Sequence, residues 1–388
     1  MIDDCAIAPS PGHPAPSGIY VHLPFCRSRC DYCAFVVSTD SSVAGAYADA
    51  LDREMGLLAP QARGFAFDSL YLGGGTPSLT PAPDLTRLLD GLRRRFAVLP
   101  CAEVTLEANP EDVTPRTARA WSAAGVNRVS VGVQSFEDRE LSAVGRRHDG
   151  AAAQRALETL AGVGLSVSGD LILGLPDQSA SSFGASLLRL CASGTGHISV
   201  YLLEAEKSKT IEDDRRLHPS RYLSDDAQAE AWLEMGETLA REGFRHYEIS
   251  NWALPGREAR HNMKYWRRTP TLGLGVSAHE LWDGRRRSNV SALTRYVDEL
   301  STGRRPLAAD HPVGAEDEAR ERIVLGLRLS EGVPAAEIED RIEISRDPTL
   351  AEDYASWIEE GLLEEAAGRV RFTERGFLLS NEILCRFV

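Results

Sequence analysis

Cys26, Cys30 and Cys33 stand in the spacing C-x3-C-x2-C directly after an apolar run, Gly18 to Leu23. Three thiolates on one short loop can hold metal. A structural zinc site or an ordinary electron-transfer cluster takes four protein ligands, so three point to a cubane cluster with one iron left open to a substrate or cofactor. A zinc knuckle is the plainer alternative for close cysteines in an intracellular protein. The other four, Cys5, Cys101, Cys191 and Cys385, are scattered singly and read as incidental or buried thiols. No disulfide framework is expected, and an iron-sulfur cluster needs a reducing compartment.

Further ligand-capable residues stand at the ends of other apolar runs. Gly73-Gly74-Gly75-Thr76-Pro77 offers backbone without side chains, to which a ligand can come close. No Gly-Lys-Ser/Thr follows, so it is not a Walker loop. Glu107 ends the run before Asn109-Pro110, and burying its carboxylate requires a partner such as Arg146 or a ligand amine or hydroxyl. Gln134 ends Val131-Gly132-Val133, and Asp170 interrupts the run in SGDLILGLP. Much later, His261-Asn262-Met263-Lys264-Tyr265-Trp266 sets one iron-capable nitrogen beside flat apolar surface, which suits a porphyrin. Taken alone, such a His more often is a hydrogen-bonded core group. The element Leu272-Gly273-Leu274-Gly275 lacks the third glycine of a dinucleotide site and is expected to close the barrel described next.

The elements that must position these residues are β-type runs alternating with helical stretches. Strands are predicted at Gly18 to Leu23, Asp68 to Leu72, Glu103 to Leu106, Arg128 to Val133, Ser166 to Leu173 and His197 to Leu203. Three- and four-residue apolar spacing predicts helices at Ala44 to Leu58, Ala82 to Phe96, Pro115 to Ala124, Ala151 to Gly162 and Ser181 to Ala192. Wound right-handedly, this is an α/β fold, a partial (β/α)6 barrel. The cysteine loop, the glycines, Glu107 and Gln134 then all follow or end strands, where barrel enzymes keep their chemistry. The polar stretch from Lys207 to Gln228 is expected to be a surface loop leading into a helix near Ala227 to Glu242.

The cysteine loop with its flank, YVHLPFCRSRCDYCAF, resembles the signature of the radical S-adenosylmethionine (SAM) superfamily. Y-x-H-x-P-F-C resembles the branch that holds the oxygen-independent coproporphyrinogen oxidases and the HemW-type haem chaperones. The resemblance implies a [4Fe-4S] cluster on Cys26, Cys30 and Cys33, with SAM chelated by the open iron and cleaved after one-electron reduction to methionine and a 5'-deoxyadenosyl radical. It implies that Gly74, Gly75 and Thr76 contact the methionyl amino group, that Glu107, Gln134 and Arg146 line the SAM site, and that Asp170 reaches the ribose. Tyr20 and Tyr32 belong to the same cofactor set. Arg147, next to Arg146, could carry the same role. The oxidases resemble C-x3-C-x2-C-x-C, whereas this chain has Phe35 at the last position, as the chaperones do. H-N-x-x-Y-W resembles the chaperones' haem element, so the resemblance assigns His261, Asn262, Tyr265 and Trp266 to haem, with His261 central. A haem chaperone is therefore the preferred reading, and a coproporphyrinogen III dehydrogenase the alternative.

The chain has 388 residues, 43% of them hydrophobic, which suffices for one large domain and one small one. The formal charge of −14 argues against a nucleic-acid surface. Residues 1–17 read as a disordered Pro-rich arm without the features of a signal peptide. The barrel with its haem-motif extension is assigned to 18–305, and a small winged-helix-like domain of helices and a β-hairpin to 310–388. No run approaches the roughly 20 apolar residues that span a bilayer, so a cytoplasmic protein is expected, with peripheral membrane association and a homodimer left open. Expected partners are haem, apo-haemoproteins that accept it, and an electron donor.

Overall fold

A computed structural model of the chain describes residues 15–345 and 347–388. The predicted arm lies outside the described residues up to residue 14, and Ser17 already belongs to the first strand. Six strands, β1 (Ser17–Leu23), β2 (Ala66–Gly74), β3 (Ala97–Ala108), β4 (Arg128–Gln134), β5 (Ser166–Leu173) and β6 (His197–Leu202), pair in parallel in chain order. Helices Ala44–Leu58, Ala82–Arg95, Pro115–Ala124, Gly150–Gly162 and Ala180–Ala192 connect them. Local chemistry sets their ends. Thr114 and Thr117 form a capping box ahead of Pro115, and Gly125, at φ 95°, stops that helix in the left-handed conformation.

The strands are buried almost throughout by residues such as Ile19, Val21, Leu70, Leu72, Val129, Val131 and Leu171. Half-buried exceptions recur at Tyr20, Tyr71, Glu107, Ser130, Gly132, Gln134 and Asp170. Register aligns Tyr20 with Tyr71 and Glu107 with Ser130, so the strands' period of two gathers these polar groups on one face of the sheet. The Gly-rich element Thr271–Leu274 is itself a strand, paired in parallel with β1 on the side away from β2. It leads into antiparallel strands His279–Trp282, Arg285–Asn289 and Leu307–Pro312, which makes the sheet mixed.

Glu54, which the sequence reading passed over, secures that extra strand. Its carboxylate accepts from Gly275 N at 2.8 Å, Tyr296 Oη at 2.5 Å and Asn289 Nδ2 at 2.6 Å, while Tyr47 Oη donates to His22 O at 2.7 Å. Burial pushes the Glu54 carboxyl up to about 7, against the pull of Tyr296, Gly275 and Asn289. Because this value is raised above the ordinary 4.5, the group's contribution to stability is full below about 4.5 and is lost as pH rises through about 7. Glu54→Ala strands three buried donors and should cost about 3–5 kcal/mol in denaturant unfolding. Glu54→Gln should flatten this pH dependence, and an unchanged slope would show that other groups carry it.

The described residues form two compact units, one of 15–222 with 269–312 and the other of 223–268 with the described residues from 313 to 388. The second holds helix Asp225–Arg241, the antiparallel pair Arg245–Glu248 and Asn251–Ala253, and helix Arg260–Trp266. Its C-terminal segment contains helices Ala315–Gly326, Ala335–Ser345 and Pro348–Glu359 and a sheet with Arg369–Phe372 between Val333–Pro334 and Leu363–Ala366. Ile323, Leu327, Ile338, Val370, Phe372 and Phe387 are among its core residues. Two expectations are corrected. The polar stretch after β6 contains helix Lys209–Leu217, whose single buried residue, Ile211, leaves little apolar period to read. Cys101 is disulfide-bonded and not a lone thiol, whereas Cys191 and Cys385 carry no disulfide.

Candidate functional site

The cysteine loop is pinned at both ends by backbone bonds. Ser38 N donates to Pro24 O at 2.7 Å and Cys26 N to Ser38 O at 2.9 Å, while Gly75 N and Thr76 N bond Leu23 O and Phe25 O, each at 2.9 Å. The end of β2 therefore lies directly against the loop. A Cβ on Gly75 would come within 2.6 Å of the Pro24 carbonyl carbon, and one on Gly74, at φ 111°, within 2.4 Å of the His22 ring. These glycines are required first by the protein's own packing, a reason the sequence reading did not supply. His22 in turn bonds Val36 O through Nε2 at 2.9 Å and Tyr20 Oη through Nδ1 at 3.0 Å.

Thr76 Oγ1 donates to Cys26 Sγ at 3.3 Å, and Arg146 Nη1 lies 3.7 Å from Cys30 Sγ. Burial raises the thiol of Cys26, Thr76 opposes it, and the neighbouring Cys33 and Cys30 raise it further. The three sulfurs thus share one electrostatic neighbourhood. Among the described residues no group of three His, Cys, Asp or Glu converges on a single metal ion. A cubane distributes its thiolates over separate irons, and three thiols on one loop are a donor set that fits it. Ser208, at the start of helix Lys209–Leu217, donates to the carbonyl of Asp31 and braces the loop from the other side.

Arg146 is half-buried while Arg147 is exposed, and Arg146 makes the closer contacts with the cysteine loop. Its guanidinium bonds Gly132 O at 2.6 Å, Asn109 Oδ1 at 2.8 Å and Tyr32 Oη at 3.3 Å. Of the partners offered for Glu107, Arg146 is not among those that bond it here. Glu107 accepts from Tyr71 Oη at 2.8 Å and Gly74 N at 3.0 Å, donors available on the adjacent strand. Burial pushes its carboxyl up to about 7, opposed by Tyr71 and Gly74. Asp170 accepts from Ser130 Oγ at 3.1 Å, and burial pushes it up to about 6 against Ser199 and Ser130. Gln134 is held at φ 66°, and its buried Oε1 has no hydrogen-bond partner among the described residues. An orphaned buried acceptor at a strand end fits a polar ligand with donor groups. A shallow cleft beside the loop is lined by Arg27, Cys30, Asn109, Glu111, Arg146 and Arg147, among others.

Tyr71, Ser130, His22 and Asn109 were not singled out from sequence. The period of two along β2 and β4 was the signal for Tyr71 and Ser130. His22 is the histidine of Y-x-H-x-P-F-C, and the turn that carries Val36 back to it supplies the partner the motif does not show.

The remaining candidates lie in the second unit, on helix Arg260–Trp266. His261 is 0% exposed and its Nε2 is 2.9 Å from Tyr265 Oη, with the rings edge to face. Burial and then Lys264 push its pKa down to about 3. Tyr265 is 39% exposed, Asn262 and Trp266 are half-buried, and the Arg328 guanidinium lies 5.6 Å from the Trp266 ring.

A parallel partial barrel that presents three cysteines at the mouth of its first strand is the architecture of a radical SAM protein, and residues 20–190 match the radical SAM superfamily. Residues 313–379 match the HemN C-terminal domain. The chain belongs to the HemW family within that superfamily. It is 34% identical to the heme chaperone HemW of Mycobacterium tuberculosis over 97% of this chain and 96% of that one. It is also 34% identical to the Escherichia coli heme chaperone HemW, over 96% and 98%. Coproporphyrinogen III oxidase (HemN) from Escherichia coli has a similar structure, with TM-score 0.82 and 25% identity over 98% of this chain and 91% of that one.

Proposed function

We propose that this protein is a haem chaperone that binds haem and passes it to apo-haemoproteins, and that it carries a SAM-binding [4Fe-4S] cluster. The observation that carries the reading is the H-N-x-x-Y-W helix with Tyr265 turned to solvent, in a chain that matches proteins named heme chaperone HemW over nearly its full length. Phe35, 67% exposed, stands two places after Cys33, where the oxidases resemble a further cysteine.

In this reading Cys26, Cys30 and Cys33 hold the cluster, and Arg146 and Thr76 bond two of their sulfurs. Glu107, Gln134, Asp170 and the backbone of Gly74 to Thr76 hold SAM, with Tyr20, Tyr32 and Arg146 around them. Bound SAM and cluster together supply one-electron chemistry; the chain's part is to bind, orient and shield. His261, Asn262, Tyr265 and Trp266 form the haem seat. The partners are apo-haemoproteins and an electron donor, in the cytoplasm, with membrane-surface contact and self-association as further proposals. Among the described residues, no helix is long and apolar enough to cross a membrane.

The test is anaerobic. Purified protein should take up one haem per chain and lose it to an apo-haemoprotein, followed by absorbance. The same protein with coproporphyrinogen III, SAM and reductant should yield no protoporphyrinogen at enzymatic turnover. Turnover, or failure to bind haem, would favour the coproporphyrinogen dehydrogenase alternative, which the likeness to the oxidase fold keeps in view.

A further inference from the structure

Helix Arg260–Trp266 carries two side chains able to ligate iron, and it presents them differently. His261 is fully buried, and the atom it would offer, Nε2, is hydrogen-bonded to Tyr265 Oη at 2.9 Å. Tyr265 is 39% exposed. Tyr265 is the more accessible of the two residues, so a flat ring as large as a porphyrin arriving from solvent meets the tyrosine side chain before the imidazole.

We propose that Tyr265 Oη, as a phenolate, is the axial ligand to ferric haem, and that His261 is a positioning residue whose Nε2–H donates to that phenolate. This rests on the haem-chaperone reading and names the atom of the seat that takes the iron. Tyrosine is among the protein ligands known to hold haem iron. The balance is simple. The Oη–H bond breaks and its proton leaves to water, the Fe–Oη bond forms, and iron stays ferric, so nothing is oxidised or reduced. His261 need not take the proton, since its Nε2 is already set 2.9 Å from Oη to serve as a hydrogen-bond donor. A neutral imidazole can still direct its N–H at the phenolate, and a hydrogen bond to the charged form favours that form. One turn of helix sets the two rings, centroids 5.2 Å apart and 85° to each other, so the donor is in place before haem arrives. A hard anionic oxygen also prefers ferric to ferrous iron, so the same seat loosens its hold when the haem is reduced.

The experiment titrates ferric haem into the full-length protein, wild type against Tyr265→Phe and His261→Ala, with absorbance, resonance Raman and electron paramagnetic resonance as readouts. Wild type should give a five-coordinate high-spin ferric haem with phenolate Raman bands. Tyr265→Phe, a change at an exposed position that keeps the ring, should lose those bands and bind ferric haem more than about tenfold more weakly. His261→Ala should keep the bands with weakened affinity. With dithionite-reduced haem, the wild-type and Tyr265→Phe affinities should converge. A wild-type spectrum retained in Tyr265→Phe, or nitrogen ligation that vanishes in His261→Ala, overturns the assignment while leaving the haem-chaperone reading intact. If wild type binds no haem, the broader reading is what fails.

Discussion

Changing Cys26, Cys30 and Cys33 together to Ala is expected to abolish iron and sulfide uptake on anaerobic reconstitution, against a full complement in wild type. The three thiols share one loop, pinned by Ser38 to Pro24 and Cys26 and by the end of β2, and each is close enough to its neighbours to affect Cys26. With one iron lacking a protein ligand from the start, no spare thiolate is available to compensate. Even a single substitution should therefore lower iron content sharply. Cys191→Ala and Cys385→Ala should reconstitute as wild type, since both lie on other elements and carry no disulfide. Because Cys101 is disulfide-bonded, it is left unchanged in this comparison. Four irons and four sulfides per chain in the triple variant would place the cluster elsewhere.

Strands and helices with strong periodicity and clear caps were legible from the residues. Helices Ala44–Leu58 and Pro115–Ala124 fall where apolar spacing put them, the second because Thr114, Pro115 and Gly125 mark its ends chemically. Helix Lys209–Leu217 was not legible, because a helix that buries one residue carries no apolar stripe. The grouping of 223–268 with 313–388 is equally silent, since periodicity says which face of an element is apolar and nothing about which distant stretch covers it. The candidate site shows the same division. Cysteine spacing and acids placed in apolar runs announce themselves. The partner an acid finds depends on sheet register, which sets Tyr71 and Gly74, and not Arg146, against Glu107. His261 is the sharpest case. Its type suggested a ligand, and only its burial behind Tyr265 moves that role to the phenol.

SAM affinity is expected to rise with pH up to about 7 and then level off, and Glu107→Gln should both weaken it and remove the slope. Glu107 already receives two donors, yet burial still pushes its carboxyl up to about 7, with Asp170 adding to the rise. Without ligand, the raised value means that the folded protein holds a proton the unfolded chain would release. This contribution to stability is full below the ordinary 4.5 and is lost as pH climbs through about 7. A ligand that brings positive charge toward Glu107, as the SAM sulfonium would, reverses the preference, because a nearby positive charge favours the carboxylate. Below about 7 binding must therefore expel a proton, and affinity should climb by up to about tenfold per pH unit. Gln at this position keeps the shape and an acceptor for Tyr71 but lacks the charge, which should weaken SAM by about 10- to 100-fold at pH 8. Iron and sulfide content should not change, because Glu107 bonds Tyr71 and Gly74 and no cysteine. The measurement is SAM titration of the reconstituted protein at several pH values. The same slope in wild type and variant would assign the proton to another group, and joint loss of iron and SAM would make Glu107 a support of the barrel and not a contact of the ligand.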